Sequence, residues 1–117
     1  MHVSVQDGVT VVQLDPNYSA FNEPLLDELQ EKLLTIVKET PSLYLVLDFE
    51  ETEYFSSVFF EVLFRAWKRT RERQGRFALC NLRPACLEIL ETAKLDTLWD
   101  IYPDLESALQ ATLPVGT

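Results

Sequence analysis

Four carboxylates, Asp48, Glu50, Glu51 and Glu53, crowd six residues of this chain, and the serine pair Ser56 and Ser57 follows closely. Carboxylates that close could hold a magnesium ion, or share acid–base work in a small hydrolase. Either task needs companions. A nucleophile needs a base within reach, and a bound phosphate needs a glycine-rich cradle. The chain has one histidine, His2, and no glycine cluster near the acids. The carboxylates therefore read as a solvated rim able to meet a basic partner patch, and a hydrolase built on them is the alternative of another class. Cys80 and Cys86 form no CxxC pair and have only His2 to join them, so a zinc site is short of ligands. Buried free thiols are expected instead. No metal and no cofactor is expected.

The elements that must position these residues follow from periodicity and punctuation. Val3 and Val5, then Asp7-Gly8, then Val9, Val11, Val12 and Leu14 predict two strands around a tight turn, broken at Asp15-Pro16-Asn17. Asn22 can cap a helix in which Leu26, Leu29, Leu33, Ile36 and Val37 recur on one face and which ends before Pro41. The apolar run Leu43 to Asp48 predicts a central strand covered on both sides. Ser56 and Ser57 open a second long helix running to about Gln74, with Gly75 as its stop. That helix is apolar in its first half and basic from Arg65 to Arg73, a solvated face or a partner contact. A short strand at Phe77 to Cys80, a helix from Pro84, a strand at Leu98 to Ile101 and a last helix from Pro103-Asp104 complete the order. Alternating strands and helices call for parallel pairing with helical crossovers. The expected architecture is a single α/β domain spanning 1–117, with 113–117 as a flexible tail. A mixed sheet of four to five strands forms the middle, with helices mainly on one face.

Composition narrows the function. The chain has 117 residues, is 47% hydrophobic and 25% charged, and carries a formal net charge of −9. That balance builds one ordinary core. The charge repels phosphate backbones and anionic lipid, so neither nucleic acid nor membrane insertion is expected. No apolar run approaches the ~20 residues of a membrane span, and no secretory signal is visible, so the cytoplasm is the expected compartment.

Several motifs, taken in order, resemble a known family. They are Leu45-Val46-Leu47-Asp48-Phe49, Phe55-Ser56-Ser57-Val58, Arg73-Gln74-Gly75, Ala78-Leu79-Cys80-Asn81-Leu82-Arg83-Pro84, Leu95-Asp96-Thr97-Leu98-Trp99 and Ile101-Tyr102-Pro103-Asp104. Their joint spacing is similar to that of STAS domains (sulfate transporter and anti-sigma factor antagonist) of the antagonist type. The resemblance implies a non-catalytic regulator that binds an anti-sigma factor serine kinase and is reset by a phosphatase. It places the phosphorylated serine at Ser57, with Ser56 as the alternative. Ser56 stands where the family has Asp, Val58 where it has Ser or Thr, and Phe59 where it has Gly. An acidic position in the first loop falls on Ser19.

The resemblance makes the start of the second helix and the loop before it the partner surface, comprising Ser19, Asn22, Tyr54, Ser56, Ser57, Val58, Phe59 and Glu61. A serine there caps the helix, worth about 1 kcal/mol. A phosphate there is tolerated, because a helix start favours an anion by about 0.3–1 kcal/mol. A partner would have to desolvate the dianion, so phosphorylation would release it. Val58, Phe59 and Phe60 are consecutive and point about 100° apart, so at least one must approach the surface; Phe59 is the expected anchor. The altered serine motif favours a second reading, a phosphorylation-independent STAS scaffold or regulatory subunit in a signalling or lipid-transport complex. The sequence names no partner and no oligomeric state.

Overall fold

A computed structural model describes residues 1–18, 23–40 and 44–112; the side chains of Asn17, Glu23, Tyr54, Ser57 and Thr112 lie outside that description. Strands β1 (His2–Gln6) and β2 (Val9–Gln13) form an antiparallel hairpin with Gln6 facing Val9. Its turn residues Asp7 and Gly8 have φ of 52° and 79°, the mirror-image turn that Asp-Gly favours. A two-residue strand β3 (Asn17–Tyr18) and helix α1 (Glu23–Glu39) follow. Then come β4 (Tyr44–Asp48), β5 (Tyr54–Phe55), α2 (Ser57–Glu72) and β6 (Arg76–Cys80). Helix α3 (Pro84–Thr92), a 3₁₀ turn (Leu95–Thr97), β7 (Asp100–Tyr102) and α4 (Leu105–Thr112) end the described chain.

The main sheet has five strands in the order β1-β2-β4-β6-β7, and every pair after the hairpin is parallel. A run of buried apolar residues explains the parallel centre: Leu45, Val46, Leu47, Ala78 and Leu79 are all fully enclosed. One face carries Val12, Leu14, Leu45, Leu47, Phe77 and Leu79. It packs on Leu26, Leu29, Leu33 and Val37 of α1, on Phe59, Val62, Leu63 and Ala66 of α2, and on Cys86 and Leu90 of α3. The other face carries Val9, Val11, Val46, Ala78 and Cys80 against Ala108, Leu105 and Leu109 of α4. Three helices thus share one face and α4 alone covers the other. Each large apolar side chain so enclosed contributes roughly 1.5–3 kcal/mol of transfer free energy.

Two boundaries differ from the sequence expectation. The last strand is Asp100–Tyr102, not Leu98 to Ile101. The N–H groups of Leu98 and Trp99 bond back to the Leu95 carbonyl at 3.1 and 3.3 Å, closing a tight turn in place of a strand. That turn drives Trp99 inward against Phe77, with ring centres 5.9 Å apart, and leaves Leu98 exposed. At the end of α2 the left-handed residue is Gln74, with φ of 59°, one position before Gly75. The Gly75 N–H reaches the Thr70 carbonyl at 2.9 Å and the Gln74 N–H reaches the Arg71 carbonyl at 2.9 Å, the paired bonds of a Schellman end. Gln74→Gly is therefore expected to raise stability by up to about 1 kcal/mol, read as a higher urea midpoint at unchanged slope. Helix α1 stops at Glu39, before Pro41 as expected; the expected cap Asn22, the start of β4 at Leu43 and the tail 113–117 lie outside the described residues.

Cys80 and Cys86 are free and buried. Burial pushes the Cys80 thiol from an ordinary 9.0 up to about 12, and Asp48, Asp104 and Glu50 add repulsion. The unfolded chain loses that proton first, so this contribution is full below pH 9.0 and falls as pH rises toward 12. Cys80→Ala is expected to flatten the alkaline fall in the urea midpoint; an unchanged slope contradicts it.

Candidate functional site at the start of helix α2

The start of α2 is held by a second, two-stranded sheet that sequence periodicity did not reveal. Strands β3 and β5 run parallel, pairing Asn17 with Tyr54 and Tyr18 with Phe55. Backbone bonds extend this ribbon at both ends: the Glu53 N–H donates to the Pro16 carbonyl at 2.8 Å, and the Ser56 N–H donates to the Tyr18 carbonyl at 3.0 Å. The buried Thr52 hydroxyl donates to the Asp15 carbonyl at 2.9 Å. Four ring residues sit beneath. Phe59 lies 4.9 Å from Tyr18, 5.0 Å from Phe55 and 6.0 Å from Phe49, centre to centre. Tyr18 is enclosed, and its hydroxyl accepts from the Asp15 N–H at 2.9 Å. Burial, reinforced by the Asp15 charge, raises the Tyr18 phenol above its ordinary value.

Phe59 is thus a core residue with none of its surface exposed, contrary to its expected role as the exposed anchor. The ribbon and the Tyr18 ring roof it over. The exposed member of the consecutive trio is Val58, at 43%, while Phe60 is half-buried against Phe55. Glu61 lies exposed one turn on.

Ser56 is the residue before the helix, with extended backbone angles of −94° and 173°, and it makes no side-chain cap bond. Its hydroxyl oxygen is sealed from solvent without a hydrogen-bond partner, which costs about 1–3 kcal/mol. So enclosed, it is a poor alternative phosphate acceptor. Ser57 is the first residue of α2. The first turn contains no carboxylate, so nothing acidic offsets the positive end of the helix dipole. Ser19 and Asn22 lie outside the described residues, and the side chain of Tyr54 is likewise not described.

The acidic cluster divides. Glu50, Glu51 and Glu53 are exposed and form the rim, with Glu53 loosely paired to Arg83 at 3.9 Å. Asp48 leaves the rim: it is buried, accepting from the Glu50 N–H at 2.9 Å and from Asn81 Nδ2 at 3.0 Å. Asn81 takes the left-handed conformation, φ 58°, that brings its amide there. Among the described residues no group of His, Cys, Asp and Glu is placed to hold a metal ion. The basic half of α2 is spent partly on α1. Arg65 donates to Gln30 Oε1 at 2.8 Å, and Arg73 donates to the Val37 carbonyl. Arg71 lies over the Trp67 ring at 5.5 Å.

The family model for the STAS domain matches residues 1–108, and the chain belongs to that family. The structure is similar to an anti-sigma-factor antagonist (STAS) domain protein from Planctomyces limnophilus, at 29% identity, covering 97% of each chain with a TM-score of 0.84. It is also similar to an anti-sigma factor antagonist from Mycobacterium paratuberculosis, at 26% identity, covering 97% of this chain and 92% of that one with a TM-score of 0.83. The phosphorylated form of SpoIIAA, a Bacillus cell fate determinant, shares the fold at 13% identity, with a TM-score of 0.71 over 94% of this chain and 97% of that one. No curated protein sequence is significantly similar to the chain. Among the described residues, no helix is long and apolar enough to cross a membrane.

Proposed function

We propose that this STAS domain is a non-catalytic regulator of the anti-sigma factor antagonist kind, which binds an anti-sigma factor serine kinase in the cytoplasm through the amino end of α2. The observation that carries this reading is the exposure of Val58 on a helix start otherwise clamped by buried rings. A solvent-facing apolar side chain on a rigid base has little ordering entropy left to lose, as a docking anchor requires. Glu61 and the exposed glutamates at 50, 51 and 53 supply a polar rim for a basic partner surface.

Ser57 is the phosphate acceptor in this account. As the first residue of α2 it places a phosphate at the positive end of the helix, in a first turn that carries no carboxylate. The folded state tolerates the dianion, whereas a docked partner must strip its water. Phosphorylation therefore releases the kinase, and a phosphatase restores binding.

Incubation with the serine kinases of the same cell and ATP, followed by mass spectrometry of the peptide holding Ser56 and Ser57, tests the switch. Phosphate on Ser57, absent from Ser57→Ala, is the expected result. No phosphate there, with capture of a partner retained, sinks the switch and favours the phosphorylation-independent scaffold, whose support is the substituted motif Ser56, Val58 and Phe59.

A further inference from the structure

The hairpin leaves an edge with self-complementary chemistry. Strand β1 is the end strand of the main sheet, and among the described residues no strand pairs with its outer side. Natural edges are blunted by charge, proline or a bulge. The β1 sequence His-Val-Ser-Val-Gln contains no Asp, Glu, Lys, Arg or Pro, and its register with β2 runs unbroken for five residues. Val5 is 71% exposed and Val3 is 43% exposed.

The hydrogen-bonding parity follows from the turn. A two-residue hairpin makes its flanking residues, Gln6 and Val9, a hydrogen-bonded pair. Antiparallel pairs alternate, so Ser4 and His2 also bond inward to β2, while the N–H and C=O groups of Val3 and Val5 face the open edge. Their side chains share the face of Val12 and Thr10, and Val3 forms one wall of a groove completed by Glu28, Glu31, Lys32, Thr35 and Ile36 of α1.

We infer that this edge pairs with the same edge of a second copy, antiparallel and centred on Ser4, to give a two-fold dimer with one continuous ten-stranded sheet (twice the five strands of one copy). In that register Val3 faces Val5 of the other copy and Val5 faces its Val3. All four sets of outward backbone groups then meet partners, and four exposed valines form one apolar patch. Centring on Val3 or on Val5 instead leaves only one valine facing a valine. The chain carries −9, so two copies repel over most of their surfaces. The β1 strand itself places no carboxylate in that seam, and its Val-Ser-Val centre reads the same in both directions, which points to a second copy as the occupant. Five residues of edge make a modest interface, so the dimer is concentration-dependent.

Ser4 lies on the two-fold axis as a non-hydrogen-bonded pair, where Cα atoms stand ~4.5 Å apart, within disulfide reach. Ser4→Cys is therefore expected to form a disulfide dimer under mild oxidation, whereas Gln6→Cys, facing His2 of the other copy, is not. The native thiols are buried and do not compete. In sedimentation equilibrium, Val5→Asp places two carboxylates in the seam and weakens dimerisation about tenfold or more. Because Val5 is exposed, its thermal unfolding should match that of the wild type. A chain that stays monomeric at its highest soluble concentration, or a Gln6→Cys cross-link as efficient as that of Ser4→Cys, overturns the inference. Monomers with an intact melt leave the edge to a strand from another protein.

Discussion

Val58→Asp is expected to weaken binding of the partner roughly 30-fold or more while leaving the fold as stable as before, or slightly more so. The two effects have opposite signs for one physical reason. Val58 is the second residue of α2, where a carboxylate adds about 0.3–1 kcal/mol of favourable interaction with the helix dipole. The same carboxylate, pressed into an interface, must shed its water without a guaranteed cation to receive it. Exposure at 43% means that no core contact has to be remade. Calorimetric titration with the kinase, beside thermal unfolding of the free protein, reads both effects. Unchanged affinity removes Val58 from the docking surface. A lower melting temperature shows that its burial has been misjudged.

Phe59→Ala is expected to act in the opposite domain of measurement, costing about 3–5 kcal/mol of stability. Its ring meets Tyr18, Phe49 and Phe55 within 6.0 Å and has no exposed surface, so truncation opens a cavity in the layer joining the small ribbon to α2. For a domain of this size that is a fall of about 10–20 °C in melting temperature. Phe59→Leu should recover part of the loss by refilling volume. Binding, measured below the melting transition on the folded fraction, should change far less than with Val58→Asp. A melt that hardly moves would return Phe59 to the surface.

Those two neighbours show where the sequence was readable. Periodicity placed α2 and required that one of Val58, Phe59 and Phe60 surface, since helix geometry spreads three consecutive side chains over about 200°. Which one surfaces depends on the ribbon of Asn17–Tyr18 and Tyr54–Phe55. Two-residue strands carry no detectable alternation, so the roof over Phe59 left no signal. Asp48 was read as part of a solvated rim because it shares six residues with three other carboxylates and no catalytic companion stands beside them. Its burial depends on the Asn81 amide, thirty-three positions away, and no local pattern announces that bond. The hairpin, by contrast, was legible because Asp7-Gly8 fixes both turn type and register. The parallel centre was legible because a strand enclosed on both faces must read as an unbroken apolar run.

Amide NMR of the labelled protein during titration with the anti-sigma factor serine kinase tests the docking claim most directly. Shift changes and line broadening concentrated on residues 54–61, at the close of the small ribbon and the first turn of α2, are the predicted result. Changes centred on α3, α4 or the β1 edge, with 54–61 unmoved, would contradict it.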